Sequence, residues 1–203
     1  QVSQGGGLPN LWFALLFLVG AIAMRGAGCT LNDIVDRNYD GRVARTKGRP
    51  IPSGRVSVKQ ALIFLAAQAL LGLAILLQFN SHTVVLAMTS LLIVAIYPFM
   101  KRITNWPQLV LGLAFNWGVL VGWSAVHGSL SWPPVLVYLG GIFWTLADDT
   151  IYAHQDREDD VLIGVKSTAV HFGDNTRIWL GGFFILALIS IDAALWLADA
   201  SFI

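Results

Sequence analysis

The stretch LPNLWFALLFLVGAIAMRGAGCTLNDIVDRNYD, residues 8–40, begins as an apolar run and ends in a cluster of charged residues. Between Leu8 and Leu31 the only charged residue is Arg25. A charge-poor run of about 20 residues is long enough to cross the hydrocarbon of a bilayer as a helix. Three aspartates and six basic residues then follow between Leu31 and Arg55. The stretch predicts a transmembrane helix that leads directly into a charged segment at one membrane face.

The rest of the chain has the same apolar character. Hydrophobic residues make up 56% of the sequence and charged residues only 12%, which is too apolar for a soluble domain of this length. Since no window shows the strict alternation of barrel strands, helices are the better prediction. We predict an all-α membrane protein, a polytopic transmembrane helix bundle in which residues 1–203 form a single transmembrane domain. Six windows qualify as membrane spans: Leu8–Leu31, Gln60–Phe79, Thr83–Met100, Pro107–Val126, Trp132–Ala147 and Ile178–Ala198.

The basic residues predict how the helices are oriented. Apart from Arg25, every Lys and Arg lies in Arg37–Lys59, in Lys101–Arg102 or in Arg157–Arg177. These segments are separated by even numbers of predicted crossings, whereas the opposite connections, QFNSHT and HGSLSWPP, contain no Lys or Arg. The positive-inside rule therefore predicts an integral protein of a bacterial cytoplasmic or mitochondrial inner membrane, with its charged face towards the cytoplasm or matrix.

The aspartates of the first charged segment have helical spacing. Asn32, Asp36 and Asp40 are spaced i, i+4, i+8, and Asp33 stands three and seven residues before the two later aspartates. If the helix continues through them, their side chains form one stripe.

A second acidic segment, DDTIYAHQDREDD, runs from residue 148 to residue 160. Its residues Asp149, Tyr152, Asp156 and Asp160 follow the spacing i, i+3, i+7, i+11, which predicts another single stripe. Because four predicted crossings separate the two segments, both stripes are expected at the same membrane face.

Several carboxylates at one face must be neutralised, since like charges a few ångströms apart raise one another's pKa values. Oxygen ligands in this number suit Mg²⁺, which shares its coordination shell between one or two carboxylates and the oxygens of a bound phosphate. Basic side chains nearby would hold the remaining negative charge of such a ligand. The pattern predicts Mg²⁺ and a diphosphate, with these basic residues around them: Arg42, Arg45, Lys47, Arg49, Arg55, Arg157 and Lys166.

Two motifs resemble a known family. NDIVDRNYDGRVARTKGRPIPSG resembles the N-D-x-x-D-x-x-x-D motif of the UbiA superfamily of intramembrane aromatic prenyltransferases, and DTIYAHQDREDDVLIGVKSTA resembles its D-x-x-x-D motif. With YPFMKRITNWPQLVLG between them, the chain is most similar to the branch that prenylates 4-hydroxybenzoate in ubiquinone biosynthesis. The resemblance implies a fold of nine transmembrane helices, so one is expected before Leu8 and two after Ile203.

The resemblance also implies an activity and its residues. The head of an allylic polyprenyl diphosphate would be bridged through Mg²⁺ to aspartates of both motifs, and its polyprenyl group would pass to an aromatic acid. The implied metal ligands, which are also catalytic candidates, are Asp33, Asp36, Asp40, Asp156 and Asp160.

Further candidates carry individual roles. Arg102 resembles the arginine that positions the carboxylate of the aromatic acid, and Tyr152 and Asp149 are expected to order the second metal site or the phenol. The remaining substrate-binding candidates are Asn32, Arg42, Arg45, Lys101, Asn116 and Lys166.

Two other interpretations stay open. Another member of the superfamily would use a different acceptor, in the menaquinone, haem O or meroterpenoid pathways. An ion-coupled transporter also uses intramembrane carboxylates, but it needs a few isolated ones near the midplane, whereas here they crowd at one end. Nothing in the charge pattern indicates a nucleic-acid partner, because the basic residues follow membrane topology and the net charge is +1.

Overall fold

A computed structural model describes residues 10–43 and 45–198 of the chain. These residues form α-helices joined by short turns, and no strand occurs among them. The helices are α1 (Leu11–Asp40), α2 (Val58–Leu76), α3 (Ser81–Ile103), α4 (Pro107–Phe115), α5 (Gly118–His127), α6 (Trp132–Ala153), α7 (Arg157–Ile163), α8 (Thr168–Phe172) and α9 (Thr176–Leu197). The all-α prediction is confirmed.

Among the described residues, five helical segments are long and apolar enough to cross a membrane, and each contains most or all of a predicted window. They are Leu11–Asp40, Val58–Leu76, Ser81–Ile103, Pro107–His127 and Thr168–Leu197. The predicted window Trp132–Ala147 lies in α6, a helix of 22 residues that does not reach the same apolarity over 18 residues. Prolines in its first turn and aspartates in its last turns lower its hydropathy. By length and apolarity, five of the six predicted windows are therefore candidate membrane spans.

The chain divides into two compact units, with the boundary between Asn80 and Ser81. The first unit contains α1 and α2, which pack against each other. Small residues allow this close approach, since a side chain at Gly26 would overlap Gln68 and one at Gly72 would overlap Met24. Membrane helices commonly associate through such small residues, because hydrocarbon on either side provides no hydrophobic driving force.

Local signals explain where the first two helices begin. Asn10 caps α1, its side-chain oxygen accepting from the backbone N–H groups of Trp12 and Phe13. At the start of α2, Ser57 and Gln60 form a reciprocal capping box. Both caps satisfy backbone donors that the first turn of a helix leaves without a partner.

In the second unit α6 packs against α4 and α9. Trp106, just before α4, meets Phe172 edge to face with ring centroids 5.2 Å apart, and Phe172 stacks on Trp179 of α9 at 4.8 Å. These contacts join helix ends that are distant in sequence. The buried core of the unit contains Leu120, Tyr138, Ile142, Leu146, Ala147, Phe172 and Phe183.

The predicted window Pro107–Val126 is not one continuous helix. It is divided between α4 and α5 at Asn116 and Trp117. The side-chain N–H of Trp117 donates to the carbonyl of Leu86 at 2.9 Å, and the Tyr138 hydroxyl donates to the carbonyl of Leu113 at 2.9 Å. Neighbouring helices thus form hydrogen bonds with polar groups near the break. A membrane interior requires such bonds, because it offers no water to polar groups.

Candidate functional site

The last two turns of α1 carry the first acidic motif. The helix continues to Asp40, which confirms the continuity that the predicted stripe required. Asp36 is 1% exposed and Asp40 7% exposed, whereas Asn32 and Asp33 are half-buried. The motif therefore places ionisable groups at depth, where water screens them poorly.

Arg49, in the loop after α1, joins two of these aspartates. Its Nη1 atom lies 2.8 Å from Oδ1 of Asp33 and 3.0 Å from Oδ2 of Asp40. The loop is tied to the helix by the Thr46 hydroxyl, which donates to the carbonyl of Asp40 at 2.9 Å. In the sequence Arg49 is one of many basic residues, and only this folded loop singles it out.

The first motif has the chemistry that a divalent cation requires. Asp33 and Asp40 converge on a single cationic nitrogen, so two hard carboxylate oxygens already meet at one point of positive charge. Mg²⁺ is commonly held by one or two carboxylates together with substrate phosphates. Within the described ranges no three His, Cys, Asp or Glu side chains are grouped to hold a metal. The arrangement fits a cation that the protein and a phosphate ligand share.

Two predicted diphosphate contacts lie in the same loop. Arg42 and Arg45 are both exposed, unlike Arg49, which is half-buried. Their positions leave them accessible to an anionic ligand, and their placement as substrate contacts stays a prediction.

The second acidic motif is not one α-helical stripe, so that part of the prediction is wrong. Asp149 and Tyr152 lie in α6, the chain then forms a 3-10 turn at His154–Asp156, and Asp160 lies in α7. A 3-10 turn advances about 120° per residue instead of about 100°. Asp156 and Asp160 are therefore rotated away from the line that an unbroken α-helix would give.

A network of buried polar side chains holds this second motif, and the sequence pattern did not reveal it. Gln108 of α4 is 5% exposed, and its Oε1 atom accepts from the backbone N–H of Thr168 at 3.1 Å. The side-chain amide of Gln108 also stabilises the charged form of the Asp149 carboxyl. One glutamine thus links an acidic candidate to the start of α8.

The pKa of the Asp149 carboxyl is subject to effects of opposite sign. Asp149 lies beyond the apolar window of α6. Partial burial raises its pKa above the ordinary value, and the neighbouring carboxylate of Asp148 raises it further. The hydrogen bond with Gln108 lowers the pKa, because it stabilises the charged form. The net shift is upward.

The basic candidates of the second unit lie at the end of α3. Lys166 donates its backbone N–H to the carbonyl of Lys101 at 2.9 Å, and its Nζ atom donates to the carbonyl of Ile103 at 3.0 Å. The guanidinium carbon of Arg102 lies 5.6 Å from the ring centroid of Phe99. Lys166 therefore caps the C-terminal end of a helix, where cations are stabilised. Both Lys166 and Arg102 are exposed.

Asn116 has a clear packing role. Its Nδ2 atom donates to the carbonyl of Gly112 and to the hydroxyl of Thr145, both at 2.9 Å. A side chain at Gly141 would overlap Asn116, so the glycine makes room for this amide between α4 and α6. Its predicted contact with substrate stays a prediction.

Comparisons with known proteins extend over most of the chain. The pattern of the UbiA prenyltransferase family matches residues 2–202. The chain is 57% identical over 176 residues to the mitochondrial 4-hydroxybenzoate polyprenyltransferase of Aedes aegypti. The aligned region covers 86% of this chain and 40% of that protein. It is 53% identical over 188 residues to the human protein of the same name, covering 92% of this chain and 50% of that protein. The chain thus spans half or less of the length of these curated relatives.

Solved structures share the fold. A UbiA homolog from Aeropyrum pernix K1 superposes with a TM-score of 0.81 at 24% identity, covering 93% of this chain and 72% of that one. A UbiA homolog from Archaeoglobus fulgidus, solved with GPP and Mg²⁺, superposes with a TM-score of 0.73 at 22% identity. The superposition covers 96% of this chain and 69% of that one. Together with its membrane-spanning helices, the family match shows that this chain is an integral membrane protein of the UbiA prenyltransferase family.

Proposed function

We propose that this chain forms the diphosphate-binding part of an Mg²⁺-dependent polyprenyltransferase whose acceptor is 4-hydroxybenzoate. The observation that carries the proposal is the convergence of Asp33 and Asp40 on one cationic atom of Arg49. These two carboxylates lie at the end of an apolar helix and are stabilised by a positive charge. They are therefore suited to a metal ion that also binds a diphosphate. The acceptor is inferred from the names of the curated relatives.

Each acidic motif contributes ligands in this proposal. The metal-binding residues are Asp33, Asp36, Asp40, Asp156 and Asp160. Bound Mg²⁺ would neutralise charge on the diphosphate and make it a better leaving group. Asn32, Arg42, Arg45 and Lys166 would hold the same diphosphate by hydrogen bonds, which are charge-assisted for the three basic residues.

The reaction balances without a further reactant. The allylic C–O bond breaks, its electron pair leaves with the diphosphate, and the ring carbon ortho to the phenol hydroxyl attacks the allylic carbocation. The ring proton at that carbon passes to the released diphosphate, and its loss restores aromaticity. Basic side chains of the chain stabilise the negative charge that develops on the leaving diphosphate, and the apolar helices exclude water that would quench the cation.

Arg102 is proposed to bind the carboxylate of the acceptor. Its planar guanidinium suits a bidentate contact with a carboxylate, and the side chain is exposed next to Phe99. We propose Lys101 and Asn116 as further contacts with the acceptor, and Tyr152 and Asp149 as residues that order the phenol or the second metal site. The charge pattern supports a charged face towards the cytoplasm of a bacterium or the matrix of a mitochondrion.

The test is prenyl transfer in membranes that contain the expressed protein. Geranyl diphosphate or a longer donor is supplied with Mg²⁺ and labelled 4-hydroxybenzoate, and the lipophilic aromatic product is followed. Asp36→Asn and Asp156→Asn should each abolish product formation, as should removal of Mg²⁺. Asp174→Asn is the matched control, because this exposed aspartate lies in a 3-10 turn outside both motifs.

Three outcomes separate the parts of the proposal. Labelled product that requires the metal and both aspartates supports the whole. Consumption of the donor without aromatic product, still dependent on metal and aspartates, would show that the acceptor is a different molecule. An untouched donor would overturn the enzymatic function.

A further inference from the structure

The loop between α1 and α2 is built to hold Arg49 in one place. The backbone N–H of Arg49 donates to the carbonyl of Thr46 at 2.9 Å, and its own carbonyl accepts from the backbone N–H and hydroxyl of Ser53 at 3.0 and 2.6 Å. Thr46 is 4% exposed and is itself bonded to the carbonyl of Asp40. The guanidinium is therefore presented from an ordered turn and not from a free surface chain.

The ion pairs of Arg49 are partly shielded from solvent. The side chains of Arg49, Asp33 and Asp40 are 35%, 26% and 11% exposed. Partial burial reduces screening by salt and water, so the attraction is stronger than that of a fully exposed pair. The same burial makes the two carboxylates costly to leave without a positive partner.

Asp33 and Asp40 stand seven residues apart, about 10 Å along the helix axis. Their carboxylates nevertheless reach the same nitrogen, so the two bonded oxygens lie no more than about 6 Å apart. Without a cation between them, like charges at this separation repel each other. The guanidinium of Arg49, which contacts both groups, reduces this repulsion when both are ionised.

We infer that Arg49 is the internal counter-ion of the metal-free site and competes with the divalent cation for the carboxylates of Asp33 and Asp40. This inference rests on the proposed function, because it assumes that a metal binds the first motif. The guanidinium satisfies the carboxylates before metal arrives, and the metal must displace it from these oxygens. Arg49 would thus keep the two side chains positioned while weakening the binding of a metal on its own.

Competition makes two predictions that an ordinary structural ion pair does not. Arg49→Gln should bind the metal more tightly than wild type, by about tenfold, because the competing cation has been removed. The same variant should unfold at a lower temperature than wild type in the absence of metal, since Asp33 and Asp40 each lose an ion pair with Arg49. Saturating metal should remove that difference, because it supplies the missing positive charge.

The experiment uses the purified protein in detergent with Mn²⁺ alone as the probe. Free Mn²⁺ is counted by electron paramagnetic resonance during a titration, and thermal unfolding is measured with and without the metal. Lys59→Gln is the matched control, since it removes one positive charge from an exposed residue at the start of α2, outside both acidic motifs. Arg49→Lys serves as a second variant in case Arg49→Gln does not fold. Its single ammonium lacks the planar fork of arginine, and we expect an intermediate gain in affinity.

Each result decides the question. Tighter binding of Mn²⁺ in Arg49→Gln or Arg49→Lys, with no change in Lys59→Gln, supports the inference. Equal or weaker binding in the Arg49 variants would overturn it and leave the metal-dependent function standing. If wild type binds no Mn²⁺ and prenyl transfer needs no metal, the proposed metal role fails, and the inference fails with it.

Discussion

Gln108 accepts, through its side-chain oxygen Oε1, a hydrogen bond from the backbone N–H of Thr168 at 3.1 Å. The two residues are 60 positions apart, and both are buried. The contact joins α4 to the start of α8, and the same amide stabilises the charged form of Asp149 in α6. A single amide therefore positions the chain on either side of the second acidic motif.

Replacing this amide should destabilise the protein. Gln108→Ala leaves the buried N–H of Thr168 without its acceptor, and such a loss costs about 1–3 kcal/mol. The free energy of unfolding, measured by SDS titration in mixed micelles, should fall by that amount. Gln155→Ala, at an exposed position in the 3-10 turn, is the control and should change it little. Equal effects of the two substitutions would contradict the role of Gln108.

The hydroxyl pair Thr150 and Thr168 makes an asymmetric prediction. Thr150 donates to the carbonyl of Leu146 and lies 2.6 Å from the hydroxyl of Thr168. Since a hydroxyl has one hydrogen, Thr168 must be the donor to Thr150. Thr150→Val removes the acceptor of that donor, whereas Thr168→Val leaves Thr150 bonded to Leu146.

We therefore expect Thr150→Val to lower the free energy of unfolding by about 1–3 kcal/mol and Thr168→Val by about 1 kcal/mol or less. The double substitution should cost less than the sum of the two, because the residues share one interaction. The same titration measures all three variants. A larger cost at Thr168 would show that the donor has been assigned to the wrong residue, and additive effects would show that the two hydroxyls do not interact.

Gly141 should tolerate no side chain. A Cβ atom at this position would overlap the side chain of Asn116, whose amide is bonded to Gly112 and Thr145. Gly141→Ala should therefore lower the thermal unfolding temperature by disrupting both hydrogen bonds. Gly181→Ala is the matched control, because it lies in a helix with open space around it. The control should be neutral or stabilising by up to about 1 kcal/mol, since alanine favours a helix more than glycine does.

Substitution of Arg102 should weaken the binding of the aromatic acceptor and leave the binding of the polyprenyl donor unchanged. Replacing its planar fork by lysine loses the bidentate geometry for a carboxylate, so Arg102→Lys should raise the KM for 4-hydroxybenzoate about 10-fold to 100-fold. The KM for the polyprenyl diphosphate should stay unchanged in the same assay. Arg177→Lys, at an exposed position at the start of α9, is the control. A change in both KM values would point to a role in the diphosphate site or in stability.

Much of the first motif was predictable from local signals. The spacing of Asn32, Asp33, Asp36 and Asp40 indicated that α1 continues into the charged segment, and the helix does extend to Asp40. The spacing did not identify Arg49 as the partner of Asp33 and Asp40, because a loop separates them and six basic residues were available. Turn geometry, which side-chain periodicity does not encode, brought Arg49 to both aspartates.

The second motif was less predictable. Its spacing from Asp149 to Asp160 fits an α-helix, but the backbone changes to a 3-10 turn at His154–Asp156. No glycine or proline marks the change, since the residues there are histidine, glutamine and aspartate. The positive φ of Gly164 then ends α7 and turns the chain, which allows Lys166 to reach Lys101. Only that last turn had a recognisable signal in the sequence.

The sequence by itself determined that this chain is a helical membrane protein with acidic motifs next to apolar spans. Apolarity, helical periodicity and charge distribution are properties of short stretches of sequence. They therefore predict local structure without knowledge of the tertiary fold. Tertiary structure alone decided that Gln108 supports Asp149, that Asn116 separates α4 from α5 and needs Gly141, and that Arg49 neutralises Asp33 and Asp40. The reason is physical, because a buried polar group must find a partner wherever packing brings one within hydrogen-bonding distance, and that distance is unrelated to sequence separation.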